Sequence, residues 1–506
     1  MTDTNEPTQP DRAVEVGHGV LFIGFAKASF MVFGALQKIL LARVVDQAAY
    51  GAFSVVNNAI SIVNNTIVQG TIQSVSKFTA EDDARAGAVQ RAGLKLQAFL
   101  GVGVALAFLL AAPLIAGFVH APAHTSLFRL VAAIPLLYAF YSVFVGTANG
   151  QRRFHVQASF DVGFSIAKTA LLLGGAVLGG KLGHSAAGAF AGFIAAALII
   201  LLVAGSKMWL PAGGTSFAPW RLVAFMGGTV AYTLLINLAL SYDSLLLRRF
   251  LGAALGGRNV QSDMLLGAYE AVRSLALLPY QALLVVTFVI FPLVSRSTFA
   301  EDREATRAYV RQTLRYALIF GAALAVVLGA RPETLLRIFY PAGYGVGAAA
   351  LPMLAVGVVA LALLSIAGSI VTASGRPDVA VALVAVTLVA GTGLAFTLVP
   401  RAAPGPAMLS AAAASTAAGM LLGFLTALGY LWRRFAAGLP LLSLLRVLVA
   451  TAFAVGAARL VPGSRIVAGA AAMALAGLVF AAVLLGTREF GATDREKFLK
   501  ILHRKR

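Results

Sequence analysis

Long apolar segments separated by short polar loops run along almost the whole chain. A helix of about 20 apolar residues crosses the ~30 Å hydrocarbon core of a membrane. The pattern therefore predicts an all-α polytopic membrane protein of about fourteen transmembrane helices. The expected spans are 19–43, 50–76, 92–118, 127–149, 157–179, 185–206, 222–246, 266–294, 314–339, 349–373, 379–399, 406–432, 442–460 and 466–486.

The polar connections between these spans are short. The longest are 77–91, 207–221 and 295–311, which leaves no soluble lobe for catalysis. We therefore expect a protein that is not an enzyme. The polar residues that precede the first span lack the basic, apolar and small-residue order of a cleavable signal, so residues 1–17 are expected to form a disordered tail.

The second span interrupts the apolar pattern with amides and hydroxyls, in "SVVNNAISIVNNTIVQG" at 54–70. At about 100° per residue these polar side chains fall within an arc of roughly 140°. The stripe comprises Ser54, Asn57, Asn58, Ser61, Asn64, Asn65, Gln69 and Ser76. Such a stripe favours the wall of a water-filled cavity that binds a hydroxyl-rich substrate. The alternative is hydrogen bonding between helices.

The first span carries two lysines, Lys27 and Lys38, which lie on nearly the same helical face. A lysine inside a membrane is costly unless it faces water or a partner. One interpretation is a cationic wall that binds a phosphorylated substrate. The other is that both long side chains snorkel to the head-group regions.

Two acid and base pairs lie within later spans. Glu270 and Arg273 are three residues apart, and Asp161 and Lys168 are seven apart. Pairs at helical spacing can neutralise each other within one helix. Each is either a structural ion pair or a gate that exchanges partners, and Arg273 is also a candidate substrate-binding residue.

Composition excludes several classes of chemistry. Hydrophobic residues make up 59% of the chain and charged residues 12%, as in membrane proteins. The chain has no cysteine, and its six histidines match no zinc spacing, so no metal and no cofactor are expected.

The basic residues predict the orientation. With a cytoplasmic N-terminus, the inner segments hold 25 of the 40 Lys and Arg residues. Both termini are therefore expected in the cytoplasm, in a multi-pass protein of the cytoplasmic (inner) membrane. The net charge of +20 is explained by contacts with anionic membrane lipids, so no nucleic-acid partner is expected.

Three short motifs recur about 220 residues apart. "YGAFSVV" from Tyr50 corresponds to "LGAYEAV" from Leu266, "VSKFTAED" from Val75 to "VSRSTFAED" from Val294, and "TANGQRRF" from Thr147 to "TASGRPDV" from Thr372. Each offset covers six spans, an even number, so a parallel repeat is expected.

The repeat predicts the domain organisation. After the tail at 1–17 come an N-lobe at 18–206 (helices 1–6), a cytoplasmic linker at 207–221, a C-lobe at 222–432 (helices 7–12), helices 13–14 at 433–486 and a basic tail at 487–506.

The block from "AKASFMVFGALQKILLAR" through "YGAFS" to "VSKFTAED" is similar to the N-terminal signature of the multidrug/oligosaccharidyl-lipid/polysaccharide (MOP) exporter superfamily. Within it, the likeness is greatest to the polysaccharide-biosynthesis (Wzx-type) flippases. As motif the resemblance covers about the first 155 residues, and as architecture the whole chain.

The resemblance implies a transporter that moves a polyprenyl-pyrophosphate-linked oligosaccharide across the cytoplasmic membrane by alternating access, for cell-surface polysaccharide biosynthesis. Its partners would be this lipid-linked substrate, membrane lipids, a polysaccharide polymerase and glycosyltransferases. Two alternatives remain, a cation-coupled multidrug or metabolite antiporter of the same superfamily and a lipid II flippase. An antiporter of cationic drugs needs buried carboxylates, whereas the first span holds lysines and no acid.

Overall fold

The computed structural model describes residues 29, 31–211, 216–299, 302–463 and 465–491. Every regular element in these residues is helical, which confirms the predicted all-α class. The chain divides into two compact units, Met1–Gly267 and Ala268–Arg506. We describe each by itself.

The first unit begins with α1 (31–44). The following helices are α2 (Gln47–Glu81), α3 (Ala86–Phe118), α4 (Thr125–Val131), α5 (Ala133–Gly150), α6 (Phe154–Lys181), α7 (Ser185–Met208), α8 (Trp220–Ala239), α9 (Tyr242–Ala254) and α10 (Asn259–Ala276). The division between the units falls inside α10.

The second unit continues with α11 (Leu278–Phe299), α12 (Arg303–Ala330), α13 (Pro332–Phe339), α14 (Leu351–Ala373), α15 (Pro377–Leu398), α16 (Pro406–Phe435), α17 (Leu441–Leu460) and α18 (Ile466–Gly486). A 3₁₀ helix at Ala342–Ala350 leads into α14.

Among the described residues, ten helices are long and apolar enough to cross a membrane, or eleven if one bent pair in α8 counts as a span. The predicted membrane protein is thereby confirmed, whereas the count of fourteen spans stays a prediction. The amide-rich α2 is not among the ten. The residue that precedes α2 is Asp46, an N-cap whose carboxylate accepts a hydrogen bond from the Ala49 amide at 2.8 Å.

Four predicted spans differ from the structure because the backbone breaks within them. The predicted span 127–149 covers α4 and α5, which are separated at Ala132. The predicted span 222–246 covers α8 and α9, which are interrupted before Tyr242. Span 266–294 covers parts of α10 and α11, and Pro279 near the start of α11 has no amide hydrogen to continue α10. Span 314–339 covers the end of α12 and all of α13, which begins at Pro332.

The helices α8 and α9 belong to the first compact unit. The sequence assigns the same residues to the predicted C-lobe, and those lobe boundaries stay a prediction. In the first unit, Arg152 and Arg153 connect α5 to α6, Lys207 lies in the last turn of α7, and Arg221 lies in the first turn of α8, so the α5–α6 and α7–α8 loops are flanked by basic residues. We call the end of the first unit that carries these loops the basic face, and the other end, with the α3–α4 and α9–α10 loops, the opposite face.

Candidate functional site

The polar stripe of α2 faces α8 and α9. Asn58 Nδ2 donates to Ser244 Oγ at 3.0 Å, and Asn65 Nδ2 donates to Asn237 Oδ1 at 3.0 Å. Nearer the basic face, Thr229 Oγ1 donates to Gln73 Oε1 at 3.3 Å. We call these three pairs the polar seam. Two members of the predicted stripe thus make interhelical hydrogen bonds in this conformation.

The other residues of the stripe differ in exposure. Ser54 and Asn64 are buried, Asn57 and Ser61 are half-buried, and Gln69 is exposed. In the part of the chain that the structure describes, the buried Asn64 Oδ1 accepts no hydrogen bond. An amide oxygen left in this state can accept a hydroxyl hydrogen bond from a substrate. The role of the stripe in substrate binding stays a prediction.

The predicted cationic wall is described only in part. Lys27 lies outside the described residues, and Lys38 is half-buried in α1. A second lysine, Lys168 of α6, is close enough to Lys38 for the two charges to act on each other. Its Nζ lies 4.0 Å from the centroid of the Phe193 ring. Two lysines from different helices of the first unit are therefore near enough for their charges to interact.

The two acid and base pairs predicted from the sequence lie in different environments. Arg273 Nη1 lies 3.1 Å from Glu270 Oε2, and both side chains are buried in the second unit. Asp161 accepts a hydrogen bond on its backbone carbonyl from Ser165 Oγ at 2.7 Å. The pairing of Asp161 with Lys168, and a gating role for either pair, stay predictions.

A buried ionic cluster at the opposite face was not predicted from the sequence. Arg248 of α9 donates from Nε to Asp263 Oδ1 at 2.7 Å, and its side chain is fully buried. Nε2 of His124, in the α3–α4 connection, lies 2.8 Å from Asp263 Oδ2. Arg248 also donates to the carbonyl of His120 at 3.2 Å. We call Arg248, Asp263 and His124 the ionic cluster, which holds the α3–α4 connection against α9 and α10.

Beside the ionic cluster, α2 and α10 meet at two glycines. A Cβ on Gly51 would overlap the Asp263 carbonyl oxygen and lie 3.0 Å from the Gly267 nitrogen. A Cβ on Gly267 would lie 2.5 Å from the Gln47 carbonyl oxygen. Gln47 Nε2 in turn donates to the Met264 carbonyl at 2.8 Å. The backbones of α2 and α10 are therefore in direct contact at the opposite face.

A second ionic cluster lies at the C-terminal end of the second unit. Glu489 follows α18, and its side chain accepts from Arg315 at 2.7 Å, Arg446 at 2.9 Å and Ser443 at 2.6 Å. Burial raises the pKa of this carboxyl, but these hydrogen bonds outweigh the burial and leave its pKa below the ordinary value. The cluster ties the end of α18 to α12 and α17.

Within the described residues, no group of three or more His, Asp or Glu side chains could hold a metal ion.

Residues 16–298 match the family described as "Polysaccharide biosynthesis protein". No curated protein sequence matches the chain.

Solved structures share the fold. The lipid II flippase MurJ, in an inward closed conformation, matches with a TM-score of 0.71 at 12% identity, over 92% of this chain and 98% of that chain. An inward-facing multidrug resistance MATE family transporter of the MOP superfamily matches with a TM-score of 0.65 at 16% identity, over 80% and 94%. A MOP superfamily transporter from Pyrococcus furiosus matches with a TM-score of 0.61 at 16% identity, over 83% and 95%. At these identities the likenesses show a shared fold, and the family match confirms the predicted resemblance to polysaccharide-biosynthesis proteins.

Proposed function

Because the chain belongs to the polysaccharide biosynthesis protein family, we propose that it is a flippase for a lipid-linked oligosaccharide. The substrate class is a polyprenyl diphosphate that carries a glycan. The chain would move it across the cytoplasmic membrane by alternating access. It is then a transporter with no catalytic step of its own.

The observation that carries the proposal is the pair of lysines Lys38 and Lys168. Lys168 lies on α6, which is long and apolar enough to cross a membrane, and the charge of Lys38 on α1 acts on it. A multivalent anion that binds beside both lysines is attracted by both charges. A diphosphate supplies that anion. A cationic drug would instead be repelled, which disfavours the drug-antiporter alternative.

The polar seam supports a glycan as the other part of the substrate. Its amides and hydroxyls pair with one another here, as in Asn65 with Asn237. The same groups can exchange these bonds for bonds to sugar hydroxyls at little net cost, because one neutral hydrogen bond replaces another. The seam therefore serves as a closed form of a glycan-binding surface.

The test is transport by the purified full chain in proteoliposomes. The substrate is a polyprenyl diphosphate with a fluorescent oligosaccharide, and its arrival in the opposite leaflet is read by a membrane-impermeant quencher. We expect Lys38→Gln and Lys168→Gln each to slow transport about tenfold or more, as loss of about 1.4 kcal/mol of anion binding would do. Lys38→Arg should retain more transport than Lys38→Gln.

Lys181→Gln is the matched control, because Lys181 is exposed at the opposite end of α6. Transport rates that are unchanged in both Gln variants would contradict the proposal. Gradient-driven uptake of a cationic dye, without transport of the lipid-linked glycan, would instead assign the chain to the antiporter class.

A further inference from the structure

The helices α6 and α7 are in backbone contact at the opposite face and separated at the basic face. Cβ atoms on Gly175, Gly188 or Gly192 would overlap backbone atoms of the facing helix. Toward the basic face, a Cβ on Gly163 would meet nothing within 4 Å. The two helices are thus held together at one end and leave a groove at the other.

This groove has a volume of about 440 Å³ and is partly open at the surface of the first unit. Its walls are apolar along most of their length, with Phe160, Ala167 and Val203 among the lining side chains. The volume lies within the roughly 300–1,000 Å³ typical of sites for small organic ligands. We call it the α6–α7 groove.

Two cations, Arg153 and Lys207, line the groove at the basic face. Both are exposed, and each belongs to a different helix end. Arg153 is also the residue that precedes α6, where the first backbone amides of the helix have no carbonyl partner within the helix. Arginine, lysine and free helix amides are all groups that bind phosphate.

The groove's length fits one leaflet of a membrane. From Arg153 to Ala167 the lining follows α6 for roughly 21 Å at 1.5 Å per residue. Half of a ~30 Å hydrocarbon core is about 15 Å, and the remainder reaches the head-group region. The cations therefore lie at the level of lipid phosphates and the apolar walls at the level of acyl chains.

We propose that the α6–α7 groove binds an anionic phospholipid of the leaflet at the basic face, with its phosphate between Arg153 and Lys207 and an acyl chain along Gly163. The charge of the site selects the occupant, since basic pockets between membrane helices bind anionic head groups. This site is separate from the pair Lys38 and Lys168, and it does not depend on the proposed transport activity.

The experiment is native mass spectrometry of the delipidated full chain, with equal amounts of dioleoyl phosphatidylglycerol and dioleoyl phosphatidylcholine. We expect one phosphatidylglycerol to be retained about tenfold more than phosphatidylcholine, the order expected of two basic side chains beside an anionic head group. Arg153→Gln combined with Lys207→Gln should remove this preference.

A second variant tests whether the lipid needs the space inside the groove. Gly163→Leu should displace the retained lipid, because its side chain would extend into the open groove. Gly174→Leu is the matched control, since Gly174 is also an exposed, unobstructed glycine of α6 but does not line the groove. It should retain the lipid.

Equal retention of the two phospholipids by the unmodified protein would overturn the proposal without any variant. Equal effects of Gly163→Leu and Gly174→Leu would also overturn it. Displacement of phosphatidylglycerol by a tenfold smaller amount of undecaprenyl diphosphate would assign the groove to a polyprenyl diphosphate instead.

Discussion

Gly51 and Gly267 hold the same position in the two copies of a repeated motif, "YGAFSVV" and "LGAYEAV", and they lie against each other. Contact between equivalent residues is what a two-fold relationship between repeats produces. The absence of side chains at both positions allows α2 and α10 to touch through their backbones.

We expect Gly51→Ala to separate α2 from α10 at the opposite face, because its Cβ would overlap the Asp263 carbonyl. The reporter is Asn58→Cys, since Asn58 is 7% exposed and the chain has no other cysteine. Labelling of this reporter by a water-soluble maleimide should be at least severalfold faster with Gly51→Ala. Gly34→Ala is the control, since a Cβ there meets nothing within 4 Å. Equal labelling rates would show that the glycine contact does not close this end.

Loss of Arg248 should destabilise the protein. Removing one partner of a buried ion pair costs about 3–5 kcal/mol, because the other charge remains buried. We expect Arg248→Met to lower the thermal unfolding midpoint clearly, and Arg248→Met with Asp263→Leu to recover part of the loss. Arg258→Gln, at an exposed position beside the cluster, should leave the midpoint unchanged. A double variant less stable than both single variants would argue against a charge effect.

The Glu489 cluster should make stability depend on pH on the acid side. The folded-state pKa of this carboxyl lies below its unfolded value, so its contribution is present above about pH 4.3 and lost as the pH falls through the folded-state pKa. The midpoint difference between the unmodified protein and Glu489→Gln should therefore be large at pH 7 and shrink below about pH 4.3. A difference independent of pH would mean that packing, and not charge, stabilises this end of α18.

The polar seam should open during transport if it binds glycan. Asn58 and Ser244 are joined by a 3.0 Å hydrogen bond, so Asn58→Cys with Ser244→Cys can be bridged by a short bifunctional thiol reagent. We expect bridging to reduce transport about tenfold or more, an effect of at least 1.4 kcal/mol. The control uses a cleavable reagent. Cleaving the cross-link should restore transport. Full transport by the bridged protein would show that α2 and α9 stay together throughout.

The sequence predicted the features that depend on local spacing. Helical periodicity placed Asn58 and Asn65 on one face of α2, and their contacts with α8 and α9 use that face. The spacing of three residues likewise predicted the contact between Glu270 and Arg273.

The sequence did not predict features that depend on contacts between distant residues. His124 and Asp263 are separated by 139 positions, and neither motif nor periodicity relates them. The breaks before Tyr242 and Leu278 were also missed, because the residues directly on both sides of each break are mostly apolar and were taken for a single span. Pro279 was the one local signal for the second break.

The backbone contact between α6 and α7 also limits which substitutions these helices can accept during evolution. At Gly188 and Gly192 even a methyl group would overlap the facing backbone, whereas Gly163 and Gly174 have open space beside them. In chains that descend from the same ancestor and keep this helix pair, the first two positions should remain glycine. The other two are free to drift, except where an occupied groove selects against a larger side chain at Gly163.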